Sequence, residues 1–216
     1  KKFSNLVKRS KRPLVVFGNG IKVSKTEKEL KKFIQLNKLP FIPTWACLDT
    51  QPGNKNYNAG SFGVAATRFG NLAIQNSDLL IVLGSRLPTQ VTGSNLKSFA
   101  PKAKKIVVDI DNHELRRTKG LKIDMKINID LKNFFSLVNK RIISKTEYKD
   151  WASKFIKWQN KYPVCEKKYF SQKNSVNSYV FMKKLSELTG KNDVLVPDAS
   201  ANLIWAMQSF KPNGQK

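Results

Sequence analysis

The stretch Asn76-Ser-Asp-Leu-Leu-Ile-Val-Leu-Gly-Ser-Arg86 decides the fold class of this chain. Its apolar residues, 79–83, stand between turn-forming residues, a pattern typical of a strand buried on both faces of a parallel sheet. Gly84 permits a sharp turn at the carboxyl end of that strand, the edge at which open α/β sheets bind ligands. Ser85 and Arg86 follow with a hydroxyl and a guanidinium, two groups that are suited to phosphate or pyrophosphate oxygens. The alternative for Arg86 is an ion pair with a surface carboxylate.

Composition predicts a soluble protein with a full core. The chain has 216 residues, 40% of them hydrophobic, which fits one or two domains. No apolar run reaches the roughly 20 residues that span a bilayer, and the first residues lack the apolar region of a signal peptide. Cys47 and Cys165 lie far apart without metal-ligand spacing, which favours a reducing compartment. We therefore expect a cytoplasmic protein that has no membrane partner.

The net charge of +25 raises the question of nucleic-acid binding. Most of this charge is lysine spread along the whole chain, and no zinc knuckle, helix-turn-helix spacing or RRM motif accompanies it. Lysines distributed in this way are typical of a solvated surface. We therefore expect no specific nucleic-acid partner.

Further apolar segments alternate with amphipathic ones. Strands are predicted at residues 13–17, 39–43, 103–111 and 123–129, and helices at 24–37, 67–75 and 131–140. This alternation predicts an α/β fold with a doubly wound parallel sheet. The helix after the first strand is expected to begin at Ser24, in a capping box with Glu27. Residues 46–62 and 88–95 are expected to be loops.

Ligand-binding residue types follow several of these strands. Gly18-Asn19-Gly20 permits close approach of the backbone to a ligand, or forms a plain turn between strand and helix. Asp109 and Asp111 end a strand, where an acid accepts hydrogen bonds from ribose or ribityl hydroxyls. The alternative is that Asp111 caps the next helical turn, and Asp130 offers the same two roles. His113 lies alone in a polar turn and is expected to be solvated.

The last third of the chain has a different pattern. Helices are predicted at residues 145–162, 176–188 and 199–210, with a strand at 193–198. One strand and one helix cannot close a sheet of their own. We therefore expect the first elements of a second α/β domain.

An ordered series of motifs runs through the first two thirds. It comprises Gly18-Asn-Gly20, Pro43-Thr-Trp45, Gly60-Ser-Phe-Gly63, Asn71-Leu-Ala-Ile-Gln75, Gly84-Ser-Arg86, Val91-Thr-Gly93, Phe99-Ala-Pro101, Asp109-Ile-Asp111 with Glu114, and Asp130. The series resembles the central domain of thiamine-diphosphate-dependent enzymes, in particular acetolactate synthase and its relatives, including forms found with surface-polysaccharide genes. Residues 162–198 resemble the entry to that family's diphosphate-binding domain.

The resemblance implies a cofactor site. In flavin-using members the corresponding positions line an FAD site, and here they are Gly18, Asn19, Gly20, Thr44, Gly60, Gly63, Gly84, Ser85, Arg86, Asp109, Ile110, Asp111 and Asp130. Acetolactate synthases usually have His-Gly where this chain has Ala65-Ala66, and Asp-Asp-Arg where it has Pro88-Thr-Gln90. An acid and an arginine are thus missing from the pyrophosphate neighbourhood. The implied ligand is FAD or ADP, and the alternative is a purely structural domain.

The resemblance also implies thiamine diphosphate and Mg²⁺ in the complete enzyme. The family holds them through a catalytic glutamate in a pyrimidine domain and a Gly-Asp-Gly…Asn-Asn motif, and this sequence contains neither. Ser200 and Asn202 lie where members often carry a Gly-Gln-His that contacts the diphosphate. No residue is therefore assigned a catalytic or metal-ligating role. The chain resembles a fragment of a carboligase or decarboxylase of 2-oxo acids.

The implied organisation has four parts: a basic lead-in at residues 1–12, a central domain at 13–142, a helical linker at 143–175, and a truncated start of the diphosphate-binding domain at 176–216. The implied partners are the pyrimidine and diphosphate-binding domains, and further copies in a dimer or tetramer. Two other functions stay open. One is a stand-alone nucleotide-binding module without catalysis, and the other is a basic nucleic-acid-associated protein.

Overall fold

The computed structural model describes residues 1–117 and 120–215. Its helices are α1 Lys2–Arg9, α2 Gly20–Val23, α3 Glu27–Leu36, α4 Arg68–Asn76, α5 Thr89–Thr92, α6 Asn112–Arg117, α7 Leu131–Val138, α8 Lys149–Lys161, α9 Ser178–Leu188 and α10 Ala201–Ser209. Its strands are β1 Pro13–Phe17, β2 Phe41–Pro43, β3 Leu79–Leu83, β4 Lys104–Asp109 and β5 Met125–Asn128. The five strands expected over residues 13–129 are confirmed, and β2, β4 and β5 are shorter than predicted.

All five strands pair in parallel, in the order β2-β1-β3-β4-β5. β1 and β3 are aligned along their whole length, with Pro13 opposite Leu79 and Phe17 opposite Leu83. The chain leaves β1 in one direction toward β2 and returns to the other side of β1 to form β3. Right-handed crossovers, the rule for parallel units, therefore place α3 on one face and α4 and α6 on the other. The predicted doubly wound α/β sheet is confirmed.

The core lies between the sheet and these helices. Every residue of β1 and β3 is buried, as expected for strands covered on both faces. An aromatic cluster joins α1, α3 and α7, in which the Phe3 and Phe134 rings lie 5.6 Å apart and the Phe33 and Phe135 rings 6.1 Å apart. α8 is fastened to β1 because the Trp151 indole Nε1 donates a hydrogen bond to the Pro13 carbonyl at 3.0 Å.

The helix start predicted at Ser24, after the first strand, is wrong. Ser24 ends the short helix α2, because its hydroxyl donates to the Gly20 carbonyl at 2.6 Å and is thereby used within that turn. The following helix, α3, begins at Glu27 with Thr26 as its N-cap residue. Two segments predicted as loops also contain short helical turns, the 3₁₀ turns Trp45–Cys47 and Lys55–Tyr57 in the first and α5 in the second.

The strand predicted at residues 193–198 is also wrong. The segment has no regular structure, and 66% of Val194 and 84% of Val196 are exposed to solvent. A strand needs neighbours to satisfy its backbone and cover its side chains, and in the described part of the chain the sheet ends at β2 and β5. The helices around it do form. α10 contacts the segment that precedes α4, where Gln208 Nε2 donates a hydrogen bond to the Ala65 carbonyl at 3.1 Å.

Candidate functional site

The carboxyl ends of β1, β3 and β4 open onto one cavity of about 730 Å³. The turns after β1 and β3 both line this cavity, and the strand order reverses between these two strands, which is where open α/β sheets bind ligands. Its volume falls within the range of about 300–1,000 Å³ that is usual for small-molecule sites. The cavity brings together eleven of the residues that the sequence predicts as cofactor contacts, namely Gly18, Asn19, Gly20, Thr44, Gly84, Ser85, Arg86, Asp109, Ile110, Asp111 and Asp130.

The glycines of the first two turns allow those turns to pack on each other. A Cβ atom added to Gly18 would lie 2.7 Å from the Gly84 carbonyl oxygen, and one added to Gly20 would lie 2.7 Å from the Gly84 Cα. The Gly18 N–H donates to the Leu83 carbonyl at 3.1 Å and the Gly20 N–H donates to the Gly84 carbonyl at 3.0 Å. Both amides are thus used within the protein. The close approach that these glycines permit is between two turns of the chain.

Arg86 lies at the mouth of the cavity. Its Nε atom is 3.8 Å from Glu114 Oε1, and 68% of the Arg86 side chain is exposed, against 10% of Glu114. Both readings of Arg86 are therefore compatible with the geometry, since the guanidinium lies near a carboxylate and still faces solvent with most of its donors. Lys132 is the second cation that lines the cavity.

The three aspartates at the cavity organise the backbone around them. Asp109 Oδ1 accepts the Asp111 N–H at 2.9 Å, and Asp111 Oδ1 in turn accepts the N–H of the exposed His113 at 2.8 Å. Asp130 Oδ1 accepts the Lys132 N–H at 2.7 Å and caps α7. The capping alternative for Asp111 and Asp130 is therefore observed. An ionised carboxylate has about four acceptor positions, so capping leaves capacity for the hydroxyls of a ligand.

Three of the apolar side chains that line the cavity are open to solvent, whereas Val91 and Leu131 are buried. The exposed fractions are 75% for Val23, 40% for Trp45 and 66% for Ile110. Of these three residues, only Ile110 is predicted from the sequence to belong to the site. Trp45 directly follows the predicted contact Thr44, whose N–H donates to the Phe17 carbonyl at the end of β1. The position of Thr44 could therefore have pointed to Trp45 as a site residue. The solvent exposure of the Trp45 indole could not be predicted from the sequence.

Four predicted contacts lie outside this cavity. Gly60 lines a separate cavity of about 360 Å³ beside α10. Gly63 packs against the segment after β3, where a Cβ atom on it would meet the Gln90 carbonyl oxygen at 2.7 Å. Ser200 is the N-cap residue of α10 at φ 76°, and Ser200 and Asn202 are both exposed. The structure therefore does not join these four residues to the turns at the sheet edge.

Cys47 follows Thr44 in a 3₁₀ turn and is fully buried. Burial raises the pKa of its thiol to about 12, so the sulfur is protonated and poorly nucleophilic at neutral pH. Within residues 1–117 and 120–215, no group of three or more His, Cys, Asp or Glu side chains is placed to hold a metal ion. Among the helices described, none combines the length and apolarity needed to cross a bilayer.

Comparison with known protein families identifies the class of this chain. The family model described as "Thiamine pyrophosphate enzyme, central domain" matches residues 1–137. The match covers more than half of the chain, and the chain belongs to this family. The resemblance in the motif series is thereby confirmed.

Individual relatives narrow the comparison to one group of enzymes. The chain is 27% identical over 209 residues to acetolactate synthase 2, chloroplastic, of Nicotiana tabacum, which covers 95% of this chain and 31% of that protein. It is 28% identical over 221 residues to a probable acetolactate synthase large subunit of Methanocaldococcus jannaschii, covering 98% and 36% respectively. It is 28% identical over 201 residues to the acetolactate synthase large subunit of Lactococcus lactis, covering 93% of this chain and 34% of that protein. The chain thus spans about a third of the length of these relatives.

Proposed function

We propose that this chain supplies the central domain of a thiamine-diphosphate- and Mg²⁺-dependent, acetolactate synthase-like enzyme, and that its sheet-edge cavity binds an adenine nucleotide, ADP or FAD. The enzyme would decarboxylate 2-oxo acids and join the resulting fragment to a second molecule. One observation carries the nucleotide assignment: three turns of the predicted site meet in a cavity of about 730 Å³ where the strand order reverses.

The lining of the cavity matches the parts of a nucleotide. Arg86 and Lys132 supply cations for the phosphates. Asp109 and Asp111 supply acceptors for the ribose hydroxyls at the end of β4. The exposed indole of Trp45 offers a face on which an adenine ring stacks.

The charge balance of the cavity favours a nucleotide over a bare phosphate. Three carboxylates, those of Asp109, Asp111 and Asp130, line it together with the two cations Arg86 and Lys132, which gives these side chains a net charge of 2 − 3 = −1. Two glycine amides of the first turn are already bonded within the protein. Phosphate attraction alone is therefore weak, and affinity has to come also from the sugar and the base.

The thiamine cofactor would be held mainly by other parts of the enzyme. The family resemblance assigns the catalytic glutamate and the Mg²⁺ motif to segments that this sequence lacks. We assign residues 143–175 to a helical linker and 176–216 to the start of the diphosphate-binding domain, where Ser200 and Asn202 would approach the diphosphate. The exposed Val194 and Val196 support this assignment, because the described part of the chain leaves both side chains uncovered. Further copies would complete a dimer or tetramer.

Calorimetric titration of the purified chain with ADP and with FAD tests the nucleotide assignment. We expect saturable binding that Arg86→Ala weakens. Arg141→Ala, which removes an exposed arginine that does not line the cavity, is the matched control and should bind as the wild type does. If neither ADP nor FAD binds at millimolar concentration, the assignment is refuted and the domain has only a structural role.

Turnover tests the enzyme assignment separately. The 216-residue chain, supplied with thiamine diphosphate, Mg²⁺ and pyruvate, is expected to form no acetolactate. The same chain expressed with a pyrimidine domain and a complete diphosphate-binding domain from a relative is expected to form it. Product from the isolated chain would contradict the proposed division of the active site.

A further inference from the structure

A second groove lies away from the sheet-edge cavity, between the end of α3, the 3₁₀ turn Lys55–Tyr57 and the beginning of α8. Its volume is about 820 Å³, within the range usual for small-molecule sites. It shares no lining residue with the cavity at the strand ends. A ligand in this groove would therefore not compete with a nucleotide for side chains.

The floor of the groove is apolar. Ile34, Leu39 and Ala152 form its base and are nearly or fully buried. Ile156, on the next turn of α8, extends the apolar surface toward the rim and is 40% exposed. An apolar chain lying on this floor would cover Ile156 and remove its side chain from water.

The rim carries a cluster of three charges. Glu147 accepts a hydrogen bond from Lys38, at the end of α3, and lies 2.6 Å from the Nζ atom of Lys149, at the start of α8. The two lysines and one carboxylate give the cluster a net charge of 2 − 1 = +1. Each ammonium group has three donors, and Glu147 takes one from each. Glu147 thus holds two cations close together while leaving most of their donors available to an incoming anion.

We propose that this groove binds an amphipathic anion, an aliphatic carboxylate whose chain lies against Ile156, above the buried Ile34 and Leu39, and whose head group bonds Lys38 and Lys149. The proposal rests on the charge of the rim and the apolarity of the floor, and it is independent of the nucleotide assignment. A carboxylate with a short chain would gain the head-group contacts alone. Each further methylene that the floor covers raises affinity by about fourfold.

The chemistry of the ligand is tested by calorimetric titration of the chain with decanoate below its micellar concentration. We expect saturable binding by decanoate, weaker binding by octanoate, and none by acetate at the same concentrations. Nonyltrimethylammonium, which has the same alkyl chain and the opposite charge, is expected to bind much more weakly than decanoate. Equal binding by the cation, or no binding by decanoate at 1 mM, would overturn the proposal.

The position of the ligand is tested by variants on α8. Ser153 is exposed and lines the groove, so Ser153→Trp should fill it without disturbing the core and abolish decanoate binding. Lys149→Glu should weaken binding about threefold or more, because it changes the charge of the rim from +1 to −1. Lys154→Trp and Lys154→Glu are the matched controls, since Lys154 is exposed on the same helix and does not line the groove. Equal losses in the Lys154 variants would overturn the proposal.

Discussion

Gly20 and Gly84 are in backbone contact, because a Cβ atom on Gly20 would lie only 2.7 Å from the Gly84 Cα. This contact locks the turn after β1 to the turn after β3. Gly84 also adopts φ 58°, a left-handed conformation that residues with side chains rarely adopt. The position of Arg86, two residues further on, therefore depends on a contact that only glycine permits.

Substitution of Gly20 by alanine should lower the free energy of unfolding by about 1–3 kcal/mol, since the added methyl group overlaps backbone that cannot rotate away. Urea denaturation measures this loss. Gly190→Ala is the control, because the nearest atom to its Cβ would be Asp193 Oδ2 at 3.8 Å, an ordinary contact. If the two variants have equal stability, the two turns can separate without cost and the account of the contact is wrong.

The proposed contact between Arg86 and the nucleotide phosphates predicts opposite effects for two substitutions. Arg86→Ala should weaken ADP binding by about two- to fivefold, a modest loss because most of this side chain is exposed and screened. Gln90→Arg, which restores the arginine of the family pattern, should strengthen it. Both effects should diminish as salt is added. Unchanged affinity in both variants would mean that Arg86 serves only as a partner of Glu114.

Stacking on Trp45 predicts a loss that depends on the base. Trp45→Ala should reduce affinity for ADP by about 1–3 kcal/mol, the usual contribution of a base stacked on an aromatic ring. Affinity for inorganic pyrophosphate should stay the same, because pyrophosphate has no base. Trp45→Phe should retain most of the ADP affinity. Equal losses for both ligands would show that the indole shapes the cavity instead of stacking.

The three-charge cluster at the second groove predicts a pH effect on stability. Its two lysines, Lys149 first and Lys38 next, lower the pKa of Glu147 from 4.5 to about 2 by hydrogen bonding and charge. A depressed pKa stabilises the folded state above pH 4.5 and ceases to do so as the pH falls from 4.5 toward 2. Glu147→Gln should therefore be less stable than the wild type at pH 6 and nearly equal to it at pH 2. Urea denaturation at both pH values measures this difference in stability between the wild type and Glu147→Gln. A difference of the same size at pH 6 and pH 2 would show that the two lysines do not stabilise the ionised Glu147.

The fold could be predicted where burial alone specifies structure. The predicted bounds of β1 and β3 match the observed ones because a short apolar run between turn-forming residues fits a strand buried on both faces. The strand predicted at residues 193–198 is wrong because, in the described chain, this apolar segment has no neighbouring strand with which to pair. The helix start predicted at Ser24 is wrong because Ser24 lies between α2 and α3, and residue types alone do not decide which helix uses its hydroxyl.

Most residues of the candidate site could be predicted from the sequence, but their contacts and solvent exposure could not. The ends of parallel strands meet at one edge, so Gly18, Arg86 and Asp109 could be expected to converge. The sequence did not reveal that the glycines contact each other across two turns, nor that Trp45 is exposed at the rim. Both facts depend on side-chain and backbone positions that residue types leave open.

Hydrogen exchange with and without saturating ADP is the decisive test of nucleotide binding at the sheet edge, because it locates the ligand as well as detecting it. Binding at the sheet edge should slow the exchange of amides at residues 18–20, 84–87 and 109–111. Exchange in the second groove, at residues 34–39 and 147–156, should be unchanged. Protection of the second groove with no change at the three strand ends would contradict the assignment of the nucleotide to the sheet edge.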